Sequence, residues 1–431
     1  MKLLNKIIDP LLVLSGLLYF RFYLAKNAYQ DKGKLKEKQF RKFRNLVITS
    51  YREIPFYKGY YDSCGFDPNV DLVTIEDVKK VPILSKSLAR QESQNLINKK
   101  RSFFSLVFKT SGSTGNPFTA LVSYKHWIVE QACIWRHWHW AGYRFRDKMA
   151  IVRSYCPKPG ESRIKYDKLR NFIYFSPFHM SDDDISYYLN EMVRYDVKFL
   201  RGYPSSVKIL SDFLIRNPTH PKPNLKAVLT ASEYLSPSDS ELISDVFGCV
   251  VSNHYGLAEQ IVMFGSCCNC KGMHNYDEYG LLELEPTETD NEYQIIGTNL
   301  NNYAMPLIRY ATGDVAIVTD KQSCSMSLPY LTNVIGRLDS VLESSKGCKI
   351  PVTNFYTVLE HYNFIGKWQI QQRNDNICLV IRKKIEPSES DLNSINEEFK
   401  KRLGDNFAFY VVTDGRFVSV GEGKINPFIK I

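Results

Sequence analysis

Thr110-Ser111-Gly112-Ser113-Thr114-Gly115 packs four hydroxyl side chains and two glycines into six residues, followed by Asn116-Pro117. Glycines let a backbone expose successive N–H groups, and hydroxyls add donors. Together they can cradle phosphate oxygens. No Lys-Ser/Thr follows the second glycine, so this is not a Walker A loop. The same composition also suits a flexible linker, but an apolar run precedes it and a helical pattern follows it. His254-Tyr255-Gly256-Leu257-Ala258-Glu259 comes after a short apolar run that reads as a strand. It therefore sits at a strand's C-terminal end, where α/β sheets bind ligands. A tyrosine there can stack on a purine, and a glutamate can hold Mg²⁺ shared with phosphates. In Arg309-Tyr310-Ala311-Thr312-Gly313-Asp314 an aspartate follows a tight turn. A carboxylate so placed can accept both hydroxyls of a ribose. Two further segments carry charge between glycines or beside them: Gly336-Arg337-Leu338-Asp339-Ser340 and Gly421-Glu422-Gly423-Lys424-Ile425-Asn426.

The elements that must position these residues alternate. Residues 35–50 read as a basic helix, and 72–98 as loop and helix broken at Pro82. Phe104–Lys109 reads as a strand running into the Gly-rich turn. Residues 124–142 form a helix pattern, with Trp127, Gln131, Trp135 and Trp138 near one face. Short buried strands are expected at Met149–Arg153, Val197–Leu200, Ala227–Thr230 and Val250–Ser252, with helices over 183–195, 204–216 and 236–247. This alternation predicts α/β layers. Leu281–Glu285, Tyr293–Gly297 and Asp314–Thr319 are expected as strands with polar turns. The tail mixes strands over 376–383 and 408–412 with a helix over 389–403, a small α+β domain.

The 431 residues are long enough for two or three domains. With 44% hydrophobic and 24% charged residues the composition is globular. Ten irregularly spaced cysteines read as reduced thiols of a cytosolic protein. The net charge of +10 is concentrated: residues 1–58 hold 13 Lys/Arg against four Asp/Glu. The body is nearly neutral and shows no nucleic-acid recognition motif, which argues against nucleic acid as a partner. Leu11 to Phe20 is apolar and too short to span a bilayer as a helix. Lys26, Lys32, Lys34, Lys36, Lys38, Arg41, Lys42 and Arg44 follow it. Two readings stay open. One is a first helix packed on the body with a solvated basic face. The other is peripheral contact with the inner face of the cell membrane through residues 1–44, at about 1 kcal/mol per cation near an anionic surface.

In order and spacing the five motifs resemble the acyl-adenylate-forming superfamily of acyl-CoA synthetases, nonribosomal adenylation domains and luciferases. Ile54-Pro55-Phe56-Tyr57 and Met305-Pro306-Leu307-Ile308-Arg309-Tyr310 look like the branch of phenylacetate–CoA ligases and CapK-like capsule-biosynthesis proteins. The resemblance runs from about residue 50 to 428. It implies an α/β fold: a large N-terminal acyl-adenylate-forming domain of layered α/β sheets with a small β-rich subdomain, and a small mobile α+β C-terminal domain. The expected division is an N-terminal helical segment over 1–48, an AMP-binding adenylation domain over 49–338 and a lid over 339–431.

The implied activity is ATP-dependent adenylation of a carboxylic acid. Transfer of the acyl group follows, to coenzyme A or to an amine or hydroxyl of a sugar or glycan precursor, in surface polysaccharide synthesis. By the same resemblance Ser111, Gly112, Ser113, Thr114 and Gly115 hold the ATP phosphates, with Thr114 taking part in catalysis. Ala231, Ser232 and Glu233 lie beside the adenine, and Tyr255 and Gly256 flank it. Glu259 ligates Mg²⁺, Asp314 binds the ribose with Arg337 assisting, Asp339 is the hinge, and Lys424 is the catalytic lysine the lid delivers. A non-catalytic nucleotide-binding or scaffolding protein on the same fold is the competing reading.

One departure from the family pattern is Asn116, where relatives usually have a lysine; it costs a cation near the pyrophosphate. Some relatives hold a structural Zn²⁺ where this chain has Cys268, Cys270, His274 and Cys324. Met326 stands where relatives often have a second Cys, so unligated cysteines remain the other reading. The stretch with His126, His137 and His139 borders the acyl pocket in relatives; read alone it is core packing with exposed histidines. Asp182-Asp183-Asp184 reads as the cap and first turn of a helix rather than a metal cluster.

Overall fold

The computed structural model describes residues 11–431 apart from 12, 26, 110–117, 159, 268–271, 288–289, 319–325, 337–340, 356–357, 360–361 and 419–427. They form two compact units. Among the described residues, one comprises 11–109, 118–142 and 252–334, and the other comprises 143–251 and 335–431.

The first unit opens with helical residues 11 and 13–19, which run into a π-helical turn, Phe20–Leu24. α1 (Lys32–Glu53) starts on Asp31, whose carboxylate accepts the Lys34 N–H at 3.0 Å. It buries Leu35, Gln39, Phe43, Leu46, Val47 and Ser50, spaced to make one stripe. α2 (Pro55–Ser63) begins with proline, whose missing N–H has no helical partner at that position. The Tyr57 hydroxyl donates to the Pro306 carbonyl at 2.6 Å, which ties together two segments that the sequence singles out. α3 (Lys86–Gln91) is capped by Ser85. β1 (Ser105–Lys109) and β2 (Thr119–Ser123) pair antiparallel on either side of the Gly-rich segment. α4 (Tyr124–Trp140) starts on Ser123, whose hydroxyl accepts the His126 N–H.

In the second unit β3 (Met149–Val152), α5 (Asp182–Arg194), β6 (Phe199–Gly202), α6 (Pro204–Arg216), β7 (Ala227–Ala231) and α7 (Pro237–Phe247) stand where the sequence places them, whereas β4 (Ile164–Asp167) and β5 (Phe172–Phe175), between β3 and α5, were not expected. β7, β6, β3 and β5 run parallel in that spatial order, and β4 closes the edge antiparallel. Parallel strands are covered on both faces, and β3 and β7 are buried at every position. Ser181 and Asp184 form a capping box, and Asp182 pairs with Arg216. The three aspartates are thus a helix start, as their sequence suggested.

β8 (Val250–Gly256) pairs through His254–Gly256 with β9 (Met263–Ser266), antiparallel. β9 pairs with β10 (Met273–Asn275) in the same sense. β11 (Gly280–Pro286), β12 (Glu292–Asn299) and β13 (Tyr310–Ile317) form an antiparallel meander. β14 (Tyr330–Leu331) returns to β10. These strands bury Phe264, Ile295, Ile308 and Tyr310 in one cluster with Phe43 of α1 and Tyr57 of α2.

The tail has its own core around Phe355, Ile377 and Phe399. Strands Asn376–Lys383 and Ala408–Thr413 and helix Glu389–Leu403 stand where the sequence places them. Strand Ile365–Arg373 was not legible, because its glutamines mask the apolar alternation. Gln369 and Gln372 are nevertheless buried, and each donates to a backbone carbonyl. Among the described residues no helix is long and apolar enough to cross a membrane.

Candidate active site

Two segments of the first unit are locked together before any functional side chain is considered. Leu84 bridges Tyr310 in parallel: its N–H donates to the Arg309 carbonyl and its own carbonyl accepts from Ala311, both at 3.0 Å. Arg309 reinforces this from a left-handed backbone (φ 44°). Its guanidinium pairs with Glu283 and donates to the carbonyls of Lys79 and Val81. Lys86, two residues past Leu84, is thereby carried to the start of β13. Its ammonium donates to the Thr312 carbonyl at 3.1 Å and lies 3.7 Å from the Glu259 carboxylate.

Glu259 is 4% exposed, and its Oε1 accepts from the Tyr310 hydroxyl at 3.3 Å. The next residue, Gln260, has φ 54°, a conformation side chains seldom adopt. His126 of α4 holds that turn, with Nε2 donating to the Gln260 carbonyl at 3.0 Å. Burial pushes the His126 ring down to about 3, so it stays neutral across the physiological range. The α4 histidines are therefore partly support. His126 and His137 are buried and His139 is exposed, while His137 meets Ser252 Oγ at 2.7 Å beneath β8.

A bulge aims Asp314. On β12 and β13, Gln294 pairs with Val315 and Ile296 with Ala311, so Thr312, Gly313 and Asp314 face the single residue Ile295. Gly313 sits at φ 78°, and the Thr312 hydroxyl donates to the Ile295 carbonyl while accepting the Asp314 N–H. Such an insertion bends the strand and redirects a side chain. The Tyr255 hydroxyl, at the end of β8, donates to Asp314 Oδ2 at 2.6 Å. Burial and the Asp314 charge raise the Tyr255 phenol well above its ordinary range, so the proton stays on the tyrosine. The Tyr255 ring stacks on Phe264, 5.1 Å between centroids.

Three residues chosen from the sequence, Tyr255, Glu259 and Asp314, thus converge with Tyr310 and Lys86 through hydrogen bonds and the Lys86–Glu259 ion pair. Gly256 ends β8 beside Tyr255. Lys86 was missed. Its segment carries no motif of its own, and only the Leu84–Tyr310 bridge brings it here. A buried carboxylate beside a phenol suits the oxygen preference of Mg²⁺, so Glu259 fits that role.

Protein CapK of Staphylococcus aureus is 19% identical to this chain over 453 residues, covering 95% of this chain and 94% of CapK. Phenylacetate-coenzyme A ligase of Thermus thermophilus is 23% identical over 381 residues, covering 85% of this chain and 84% of that protein. No protein-family model matches. Among solved structures, 2-hydroxyisobutyryl-CoA ligase with 2-HIB-AMP and CoA in its thioesterification state superposes with a TM-score of 0.63 at 16% identity, covering 94% of this chain and 91% of the ligase. The same ligase in its postadenylation state gives 0.61. The fold is that of the acyl-adenylate-forming ligases.

On this ligase fold Ala231, Ser232 and Glu233 leave β7 in the second unit. Ser232 has φ 77°, and its hydroxyl accepts from Arg153 at 3.1 Å. Glu233 is buried, and its carboxylate accepts the Ser205 N–H at 3.0 Å in the first turn of α6. Tyr203, the residue before that helix, supplies no side-chain cap. Glu233 fills that role at the positive end of the helix dipole; burial raises its carboxyl above the usual range. His274, on β10, is buried with Nδ1 bonded to the Leu328 carbonyl, and burial lowers its ring toward the neutral form. Ser111, Gly112, Ser113, Thr114, Gly115, Cys268, Cys270, Cys324, Arg337, Asp339 and Lys424 lie outside the described residues.

Proposed function

We propose that this chain activates a carboxylic acid with ATP. A carboxylate oxygen of the acid attacks the α-phosphorus, a new P–O bond forms, the bond to the bridging oxygen breaks, and pyrophosphate leaves. The acyl group of the resulting acyl-adenylate then passes to the thiol of coenzyme A, or to an amine or hydroxyl of a sugar or glycan precursor, and AMP leaves. The supporting observation is the convergence of Glu259, ion-paired with Lys86 at 3.7 Å, and Asp314, hydrogen-bonded to Tyr255, on the two sides of Thr312, whose carbonyl accepts from Lys86 and whose hydroxyl accepts the Asp314 N–H.

In this reading Asp314, oriented by Tyr255, accepts the ribose hydroxyls. Glu259 holds Mg²⁺, which when bound neutralises phosphate charge. Lys86 adds a fixed cation beside Glu259, which offsets the lysine absent at Asn116. Ser111 to Gly115 supply donors to the phosphates. Residues 339–431 act as the lid carrying Lys424. Charge of this kind, positioned in advance, is the main catalytic need when an anion attacks a phosphorus already surrounded by anionic oxygens. A glycan acceptor and a place at the inner face of the membrane belong to the same proposal, the second resting on the apolar and basic character of residues 1–44.

The test is acid-dependent exchange of pyrophosphate into ATP over a panel of aryl, hydroxy, amino and uronic acids. At least one acid should support exchange, and Glu259→Gln should lower the rate about 100-fold or more. A folded protein that exchanges with no acid overturns the reading. The active acid is then offered coenzyme A and amino sugars to identify the acceptor.

A further inference from the structure

The helical stretch that opens the described chain is apolar on two opposite sides. Val13, Gly16, Phe20 and Leu24 recur every three or four residues and are buried. A Cβ on Gly16 would lie 2.7 Å from Gln131 of α4, so glycine is what lets the two helices close. The Phe20 ring lies 5.4 Å from His139 on the same helix. That side is occupied by the body. Leu11, Leu14, Leu18 and Phe22 recur with the same spacing on the opposite side, 47–75% exposed. A helix that is apolar all round belongs in a core or in lipid. An unbroken row of large exposed apolar side chains marks a contact surface.

The charge around this row shows what covers it. Arg21 lies within it, and Lys32, Lys34, Lys36, Lys38 and Arg41 face solvent on α1, opposed there by only Asp31 and Glu37. Both helices are tied to α4: the apolar stretch through Gly16 against Gln131, and α1 through Lys42, which donates to the carbonyl of Glu278, the partner of Arg136. The basic face of α1 and the apolar row, with its own Arg21, are thus held to the same helix of the first unit. The helical residues described between 11 and 24 extend only about 21 Å, short of the roughly 30 Å of a bilayer core. Seated on α4, the described stretch is placed to lie along a membrane rather than across it. Two copies meeting through this face would set cations against cations, which disfavours a dimer.

We propose that this face docks on an anionic phospholipid bilayer, with Leu11, Leu14, Leu18 and Phe22 entering the acyl boundary and Arg21 and the α1 cations meeting the lipid phosphates. It gives residue-level form to the membrane position suggested above and rests on none of the catalytic assignments.

The full chain is floated with vesicles of phosphatidylcholine alone or mixed one-to-one with phosphatidylglycerol. It binds the mixed vesicles, binds pure phosphatidylcholine weakly, and is released by salt. Leu14→Ser/Leu18→Ser/Phe22→Ser lowers the partition coefficient about 100-fold or more. Lys34→Glu/Lys36→Glu/Lys38→Glu lowers it about 100-fold at low salt, from roughly fivefold per cation. Both variants change only exposed side chains and keep the parent's melting temperature. Docking is overturned if the parent does not bind mixed vesicles, or if both variants bind as it does. It is equally overturned if the parent is a dimer that the serine variant dissociates while neither binds vesicles. Pyrophosphate exchange is read in parallel: vesicle binding lost with exchange intact removes this proposal alone, and absent exchange with binding intact removes the catalytic one alone.

Discussion

Two carboxylates of the first unit are almost equally buried, Glu278 at 6% exposure and Glu259 at 4%, and each faces a cation. Their geometries differ. Glu278 takes both guanidinium arms of Arg136 at 3.0 and 3.2 Å. The guanidinium also lies over the rings of Tyr276 at 4.5 Å and Trp140 at 5.3 Å. The pair is almost wholly buried. Glu259 stands 3.7 Å from the Lys86 ammonium, beyond hydrogen-bond distance, and the ammonium spends a bond on the Thr312 carbonyl instead. The first pair closes on itself and holds α4 to the β10–β11 connection. The second keeps its charges near each other without joining them, a geometry that an anionic ligand and its metal can enter.

Breaking the closed pair should cost the most. Glu278→Ala leaves a buried guanidinium unpaired, and urea unfolding should show a loss of about 3–5 kcal/mol. Arg136→Met/Glu278→Leu should recover most of it, because neither charge is then stranded. A loss below about 1 kcal/mol for Glu278→Ala would show that the pair does not hold α4. Lys86→Met tests the open pair. Exchange of pyrophosphate should fall about 10- to 100-fold, with stability within about 0.5 kcal/mol of the parent. If instead stability drops and the rate per folded molecule is unchanged, Lys86 is structural like Arg136. The finest test uses Asp277, beside Glu278. Burial, then the Glu278 charge, raises its carboxyl from 3.8 to about 7. The folded state binds that proton more tightly than the unfolded chain. Its contribution is therefore full below about pH 4 and is lost as pH rises through about 7. Unfolding curves across that window should show stability falling by up to about 1.4 kcal/mol per pH unit. Asp277→Asn should flatten that slope, and an unchanged slope refutes the assignment.

Much of the scaffold was legible because its signals are local. Ser181 with Asp184 predicts a helix start wherever the rest of the chain goes. The apolar run of β3, and that of β7 interrupted only by Thr230, announce strands covered on both faces. Tyr255, Glu259 and Asp314 were found because each ends a strand or follows a turn, where a side chain can leave the sheet. Lys86 was not found because its position depends on a bridge to a strand more than two hundred residues away. Glu233 was marked for the adenine, and the structure adds a second task at the start of α6 that no spacing encodes. His126 was left between core and pocket; its place under Gln260 resolves that side chain as support.

The sequence by itself determined most of the helices and the parallel strands, where the hydroxyl-rich turn and the carboxylates fall, and that the positive charge gathers before residue 59. These follow from periodicity, capping and composition, which act over a few residues. Tertiary structure alone decided that Lys86 meets Glu259 and that a bulge turns Asp314 toward Tyr255. It also decided which side of the first helix is covered. A helix apolar on both sides has the same periodicity whichever side the body takes. Only the approach of α4 to Gly16 leaves Leu11, Leu14, Leu18 and Phe22 facing outward.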